Sequence, residues 1–87
     1  MENGKVNFQI KKHIGVLKED PTGWNLELNI VSWNGGYAKY DIRRWNSEHT
    51  SMARGITLTE EEAENLAKLL VYHFEQKHDS FAFNIAK

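Results

Sequence analysis

The sequence predicts an α+β fold, four strands followed by a single C-terminal helix. Three observations carry that expectation. Runs around residues 5–10, 24–33 and 37–45 alternate apolar and polar side chains with period 2. An Asn34-Gly35-Gly36 sequence separates two of those runs and has the composition of a tight hairpin turn. After residue 58 the pattern becomes helical, opened by Thr59 and Glu62 at the spacing of a capping box.

The elements follow in order. In "KVNFQI", Val6, Phe8 and Ile10 alternate with Lys5, Asn7 and Gln9. "KKHIGVLKED" continues less regularly, and its Gly15 predicts a bend or bulge. "EDPTG" reads as a turn, with Pro21 fixing φ and Gly23 free to take positive φ. In "WNLELNIVSW", Trp24, Leu26, Leu28 and Ile30 fall on one face and Asn25, Glu27, Asn29, Val31 and Trp33 on the other. In "YAKYDIRRW", Ala38, Tyr40 and Ile42 are expected toward the core, with Lys39, Asp41, Arg43 and Trp45 facing away. "NSEHTSMARG" is polar and irregular, a loop. "RGITLT" supplies a short fourth strand on which Ile56 and Leu58 share a face. A helix then runs from 59 to about 78, with Glu60, Glu61 and Glu62 at the positive end of its dipole.

That helix carries too much apolar surface for one contact. Leu69, Leu66, Leu70, Ala63, Phe74, Ala67 and Val71 spread over an arc of roughly 200° at about 100° per residue. A helix lying on a single sheet needs a stripe of about 100° or somewhat more. A second buried contact is therefore expected, most simply the same helix of a second copy through Leu66, Leu69, Leu70 and His73. The alternative is the tail "SFAFNIAK", in which Phe81, Phe83 and Ile85 alternate, folding back over the helix. The whole reads as one domain: a sheet over about 5–58, a helix over about 59–78 and a short tail over 79–87.

Composition narrows the function classes. A chain of 87 residues with 40% hydrophobic content is long enough for one core, and a core that small gains from a partner. The absence of cysteine rules out disulfides and thiolate chemistry. No apolar run approaches a membrane span, and the polar start "MENGKVNFQIKK" is no signal peptide, so a cytoplasmic address is expected, with bacterial nucleoid association as a variant of it. The net charge is −1, but its distribution is uneven. Residues 1–58 hold eight Lys/Arg against six Asp/Glu, whereas residues 59–79 hold two against six.

The hairpin around Asn34 is the strongest candidate site. Trp33, Lys39, Arg43 and Trp45 share the expected solvent face, with Tyr37 at the turn. Bases of a single strand offer flat faces to stack on, worth about 1–3 kcal/mol each, and Lys and Arg between the rings meet phosphates. Lys11, Lys12, Lys18, Arg44 and Arg54 extend the basic track. The plain structural alternative has Trp33 and Trp45 packing on each other, and a one-residue slip in register would exchange the faces. His13, His49, His73 and His78 are scattered, without the spacing of a ligand set, so no metal and no cofactor is expected. Asp41, Glu48 and His49 lie near one another in sequence, but Asp41 is expected to pair with Arg43 or a cation on a neighbouring strand. With no phosphate loop or nucleophile elbow, the chain reads as a non-enzyme. The competing non-enzymatic reading is a protein-interaction domain that docks a peptide or subunit on the same aromatics.

The run Asp41-Ile42-Arg43, an aromatic shortly after, a polar loop, then Arg54-Gly55-Ile56-Thr57-Leu58 and a helix resembles the positive cofactor four family of transcriptional coactivators. "HIGVL", "GWNLELNIVSWNG", "YDIR" and "GITLTEEE" look like its bacterial YdbC-type branch, and the likeness covers roughly residues 5–74. The resemblance implies a curved four-stranded antiparallel sheet, a homodimer through the helices, and sequence-tolerant binding of single-stranded DNA on the sheets. Arg43 matches the family's strand arginine, Arg54 the basic residue before the glycine, and Trp45 the aromatic after "DIR", one residue closer than in the eukaryotic pattern. The expected partners are single-stranded DNA, with RNA as a second candidate, and a second copy of the chain. Trp33, Tyr37 and Trp45 are expected to stack, and Lys39, Arg43, Arg44 and Arg54 to meet phosphates, with Lys11, Lys12 and Lys18 as outer contacts. No membrane and no small-molecule substrate is expected.

Overall fold

The computed structural model describes residues 6–77. Strands β1 (Phe8–Lys18), β2 (Asn25–Trp33), β3 (Lys39–Trp45) and β4 (Ile56–Leu58) form one antiparallel sheet in the order β1-β2-β3-β4. Helix α1 (Glu60–Lys77) follows. The sequence-based expectation of four antiparallel strands and one C-terminal helix is met, while the predicted helix end at about 78 lies outside the described residues. The tail at 79–87 lies outside the described residues.

Local chemistry explains each junction. Asn34 and Gly35 take φ of 53° and 76°, the two positive values that an Asn-Gly turn supplies. The Gly36 N–H closes that turn on the Trp33 carbonyl at 2.9 Å. Asn34 also ties the turn to the start of β1: its N–H donates to the Asn7 carbonyl at 2.7 Å, and its Oδ1 accepts the Asn7 N–H at 3.2 Å. Between β1 and β2, Asp20 Oδ1 accepts the Thr22 N–H and hydroxyl, an Asx turn completed by Gly23 at φ 91°. Those Thr22 bonds, hydroxyl first, lower the pKa of the exposed Asp20 carboxyl. At the head of α1, Thr59 Oγ1 accepts the Glu62 N–H at 3.1 Å and Glu62 Oε1 accepts the Thr59 N–H at 2.8 Å, the reciprocal capping box the sequence predicts.

β1 is far less regular than its neighbours. Its register against β2 slips between Ile10 and Lys12, between His13 and Gly15, and between Val16 and Lys18. Lys11, Ile14 and Leu17 are therefore extra residues, three bulges at a spacing of three. Each bulge bends the strand and tightens its twist, so β1 curls along the sheet edge. Gly15 follows the second of them, opposite Leu28.

Burial inverts the expected faces. Leu26, Leu28, Ile30, Tyr40 and Ile42, expected to form the core, are only half-buried. Glu27, Asn29, Val31, Asp41 and Trp45, expected to face solvent, are buried. The strand alternation is as predicted, and what covers each face is not. The loop after β3 folds back over the Trp45 face: Met52 bridges Trp45, the Ala53 N–H donates to the Arg44 carbonyl, and the His49 ring sits 5.7 Å from that of Trp45. Helix α1 lies over the aliphatic face, yet none of its residues is buried. Between α1 and the sheet a cleft of about 490 Å³ remains, lined by Leu17, Leu28, Ile42, Leu58, Leu66 and Leu70 among others.

Candidate nucleic-acid interface

The covered face centres on three rings. Trp33 and Trp45 stack with their centroids 6.2 Å apart and planes 12° from parallel. Phe8, brought opposite Trp33 by the β1–β2 register, tilts against both at 5.8 and 5.0 Å. Trp45 is fully buried, and its Nε1–H has no hydrogen-bond partner among the described residues. Trp33 is half-buried, and its Nε1–H donates to Asp41 Oδ2 at 3.2 Å.

Arg43 is committed to the same structure. Its Nε and NH2 donate to the two carboxylate oxygens of Asp41 at 2.7 and 2.8 Å, a bidentate pair. The guanidinium carbon lies 4.5 Å from the centroid of the Trp33 ring, in cation–π range. Asp41 is wholly buried and Arg43 is 14% exposed. The pairing of Asp41 with Arg43 is the one expected from sequence. It makes the two a neutral unit, so Arg43 presents little free charge to a phosphate.

The remaining predicted residues divide. Tyr37 is 94% exposed at the hairpin, and Lys39 is exposed at the start of β3 on the Trp33 face. Trp45 offers no ring face to a base, which corrects its assignment as a stacking residue. The plain structural alternative, Trp33 packed on Trp45, is what the fold contains. Arg44 also leaves the set. It lies opposite Leu26 on the aliphatic face, and its NH1 reaches the Trp24 carbonyl at 3.4 Å. Lys12 and Lys18 are exposed but stand in register with Ile30 and Leu26, on the aliphatic side, while Lys11 occupies the first bulge. Arg54 is exposed, next to a Gly55 that lies tight against Arg43. The three rings and Arg43 thus form one contact cluster, Lys39 stands on the same face of the sheet, and Arg54 adjoins the cluster through Gly55.

Sequence reasoning missed a second cluster beside the rings. Glu27, buried, faces two histidines. His49 Nε2 lies 2.9 Å from both Glu27 oxygens, and His13 Nδ1 lies 3.6 Å from Oε1. Asn29 links them, donating from Nδ2 to Glu27 Oε1 at 3.1 Å and accepting from His13 Nδ1 at 2.6 Å. His49 takes a φ of 58°, uncommon for a side-chain-bearing residue. The expected sequence neighbours of His49, Asp41 and Glu48, are not its partners. Only the β1 bulges bring His13 opposite Asn29, and only the loop's return brings His49 to Glu27, so no local spacing signals either. Among the described residues no group of three or more His, Cys, Asp or Glu is placed to hold a metal ion, and no helix is long and apolar enough to cross a membrane.

Comparison with known proteins adds two findings. The profile of a family described as Transcriptional Coactivator p15 (PC4) matches residues 21–69, from the β1–β2 turn through the first half of α1. A Treponema pallidum (strain Nichols) protein, described as "Uncharacterized protein", is 41% identical over 73 residues, covering 79% of this chain and 86% of the relative.

Proposed function

This chain belongs to the Transcriptional Coactivator p15 (PC4) family, whose members bind nucleic acid, and from that premise we propose that it binds single-stranded DNA with little sequence preference. The observation that carries this reading is Tyr37. A tyrosine left 94% exposed at the tip of the β2–β3 hairpin gives nothing to the core, and its ring is free to stack on a base. It stands two residues from the exposed Lys39 and beside the half-exposed Trp33, whose ring carries Arg43. In this reading Tyr37 and Trp33 take bases, Lys39 and Arg54 take phosphates, and Arg43 with Asp41 holds the Trp33 ring in place. Lys11 is an outer contact. RNA, which offers the same flat bases and phosphates, is the secondary partner.

The glutamates are placed consistently with that role. Glu60 and Glu64 line the cleft on the aliphatic side of the sheet, away from the ring face. That cleft, together with the exposed Leu66, Leu69 and Leu70, supports a homodimer in which a second copy covers the helix and the aliphatic face. His73, also exposed on α1, belongs to that interface in the same reading. The role that follows is to hold exposed strands during transcription, replication or repair in the cytoplasm, near the bacterial nucleoid.

A salt series tests the reading. Anisotropy of a labelled oligo-dT should report binding whose log affinity falls with log salt by about 0.7 per phosphate neutralised. Two phosphate contacts, from Lys39 and Arg54, give a slope near −1.4 on that scale. Equal binding of a duplex and a single strand would reject the stacking mechanism, and absence of binding at low salt would reject the function.

A further inference from the structure

The ring face has a negative floor. Glu27 and Asp41 are both buried there, and Arg43 offsets only one of them, so the three together carry one negative charge. An acidic floor repels a phosphate strand. Two histidines sit on this floor. His13, on β1, is 51% exposed and His49, in the loop after β3, is 37% exposed, while the Glu27 side chain between them is 5% exposed. Each histidine has one ring nitrogen against the Glu27–Asn29 pair. The other nitrogen, Nε2 in His13 and Nδ1 in His49, has no hydrogen-bond partner among the described residues.

We infer that His13 and His49 are proton-gated phosphate contacts, and that the Glu27-centred cluster makes single-strand binding stronger as the pH falls. Histidine is the side chain whose charge changes between about pH 5 and 8. Protonation at the free nitrogen of each ring adds an N–H donor and a positive charge on the ring face, where the His49 ring lies 5.7 Å from Trp45 and Trp45 stacks on Trp33. With both rings protonated, the cluster of Glu27, Asp41, Arg43 and the two histidines passes from one negative charge to one positive charge. The charged groups that face the cluster are Glu27 on β2, Asp41 and Arg43 on β3, and the two histidines themselves. Lys39 stands further along β3, and α1 lies on the opposite side of the sheet. Glu27 has a second use in this device: it holds both rings in place while remaining buried from the strand.

The inference rests on the single-strand reading above, and the experiment separates the two. Oligo-dT binding is followed by anisotropy at several salt concentrations at about pH 8 and about pH 5.5, a range that spans histidine titration and leaves ordinary carboxylates ionised. Affinity should rise roughly tenfold on acidification, the scale of two partly screened charge contacts. The salt slope should steepen by about 1.4, from two further phosphates neutralised. The double variant His13→Gln/His49→Gln should lose the rise and the steepening. Two arms stand without that variant. Histidine NMR signals of the unaltered protein near neutral pH should move toward the protonated form when oligo-dT is added, because protons and DNA then favour each other's binding. Glu27→Gln, which removes the floor charge and keeps a hydrogen-bonding side chain, should tighten binding several-fold at about pH 8, the effect expected of one like charge removed. Binding that is intact but equally strong at both pH values, or an acid-side rise that survives in the double variant, overturns the inference and leaves the single-strand reading standing. No binding at any pH removes both.

Discussion

Gly55 lies directly against Arg43. A β-carbon at Gly55 would overlap both the Arg43 Cβ and the carbonyl oxygen of Ile42. The chain returns to the sheet through this residue, one position before β4 begins at Ile56. Gly55 is not among the glycines held at positive φ, so the requirement is for space alone. One of the overlapped atoms is backbone and cannot rotate away. Gly55→Ala should therefore lower stability by about 1–3 kcal/mol, the range for overpacking. In a domain of this size that amounts to a melting shift of about 4 °C or more, readable by circular dichroism. An unchanged melting temperature would show that β4 can shift outward at no cost.

Asp41 is the most constrained charge in the fold. Its two oxygens accept from Arg43, and one of them also accepts the Trp33 indole N–H. Asp41→Asn keeps the shape but leaves a mostly buried guanidinium without its counter-charge. Breaking a fully buried pair costs about 3–5 kcal/mol, and the residual exposure of Arg43 places this variant at the low end. Urea denaturation should show it. The reciprocal change Arg43→Ala should also weaken strand binding, because the Trp33 ring loses the group stacked on it.

Trp45 belongs to the core, and two substitutions separate that role from strand binding. Trp45→Ala removes a ring packed against Phe8, Trp33 and His49, and large-to-small aromatic changes cost about 3–5 kcal/mol. That is a large share of the roughly 5–15 kcal/mol available to a small domain. Trp45→Phe keeps a ring and removes an indole N–H that is buried without a partner among the described residues, so it should cost less than about 1.5 kcal/mol. Oligo-dT affinity should be the same in Trp45→Phe as in the unaltered protein. A tenfold loss in this well-folded variant would return Trp45 to the binding surface.

These three residues mark how far the sequence could be read. Order and type of the elements were legible because each rests on a local rule: alternation in β2 and β3, Asn34-Gly35 in the turn, Thr59 and Glu62 at the helix start. The Asp41–Arg43 pair was also legible, being two residues apart on one strand face. Burial was not. Whether Trp45 faces solvent depends on where residues 46–53 travel after β3, and the polar, irregular composition of that loop does not encode its path. Arg44 could have been separated from Arg43 by strict alternation, since neighbours on an unbulged strand point to opposite faces. The histidine cluster had no local signature at all, because Glu27 and His49 are joined by a loop closure and His13 by three bulges.

Tyr37 gives the cleanest test of stacking. Its exposure means that Tyr37→Ala should leave the melting temperature within about 1 °C, since surface changes away from packed features rarely exceed about 0.5 kcal/mol. The same change should weaken oligo-dT binding by about 1–3 kcal/mol if the ring takes a base. Tyr37→Phe, which keeps the flat face, should restore most of the loss. Equal affinity in all three proteins would remove Tyr37 from the site.

Leu69 separates a helix that ends at solvent from one that meets a second copy. In the isolated chain Leu69 is 67% exposed, and its neighbours Leu66 and Leu70 are only partly covered by the sheet. A helix that displays three leucines to water leaves apolar surface whose burial is worth about 25 cal/mol per Å². Leu69→Glu should cost a monomer almost nothing, because it exchanges one exposed helix-forming side chain for another. In a dimer it places two carboxylates at a self-complementary contact, where desolvation and mutual repulsion both oppose association. Sedimentation should therefore find the unaltered chain as a dimer and Leu69→Glu as a monomer with a lower melting temperature. Oligo-dT affinity per chain should fall as well if one strand spans both sheets, and stay level if each sheet binds alone. A monomeric unaltered chain would instead assign the apolar surface of α1 to another occupant.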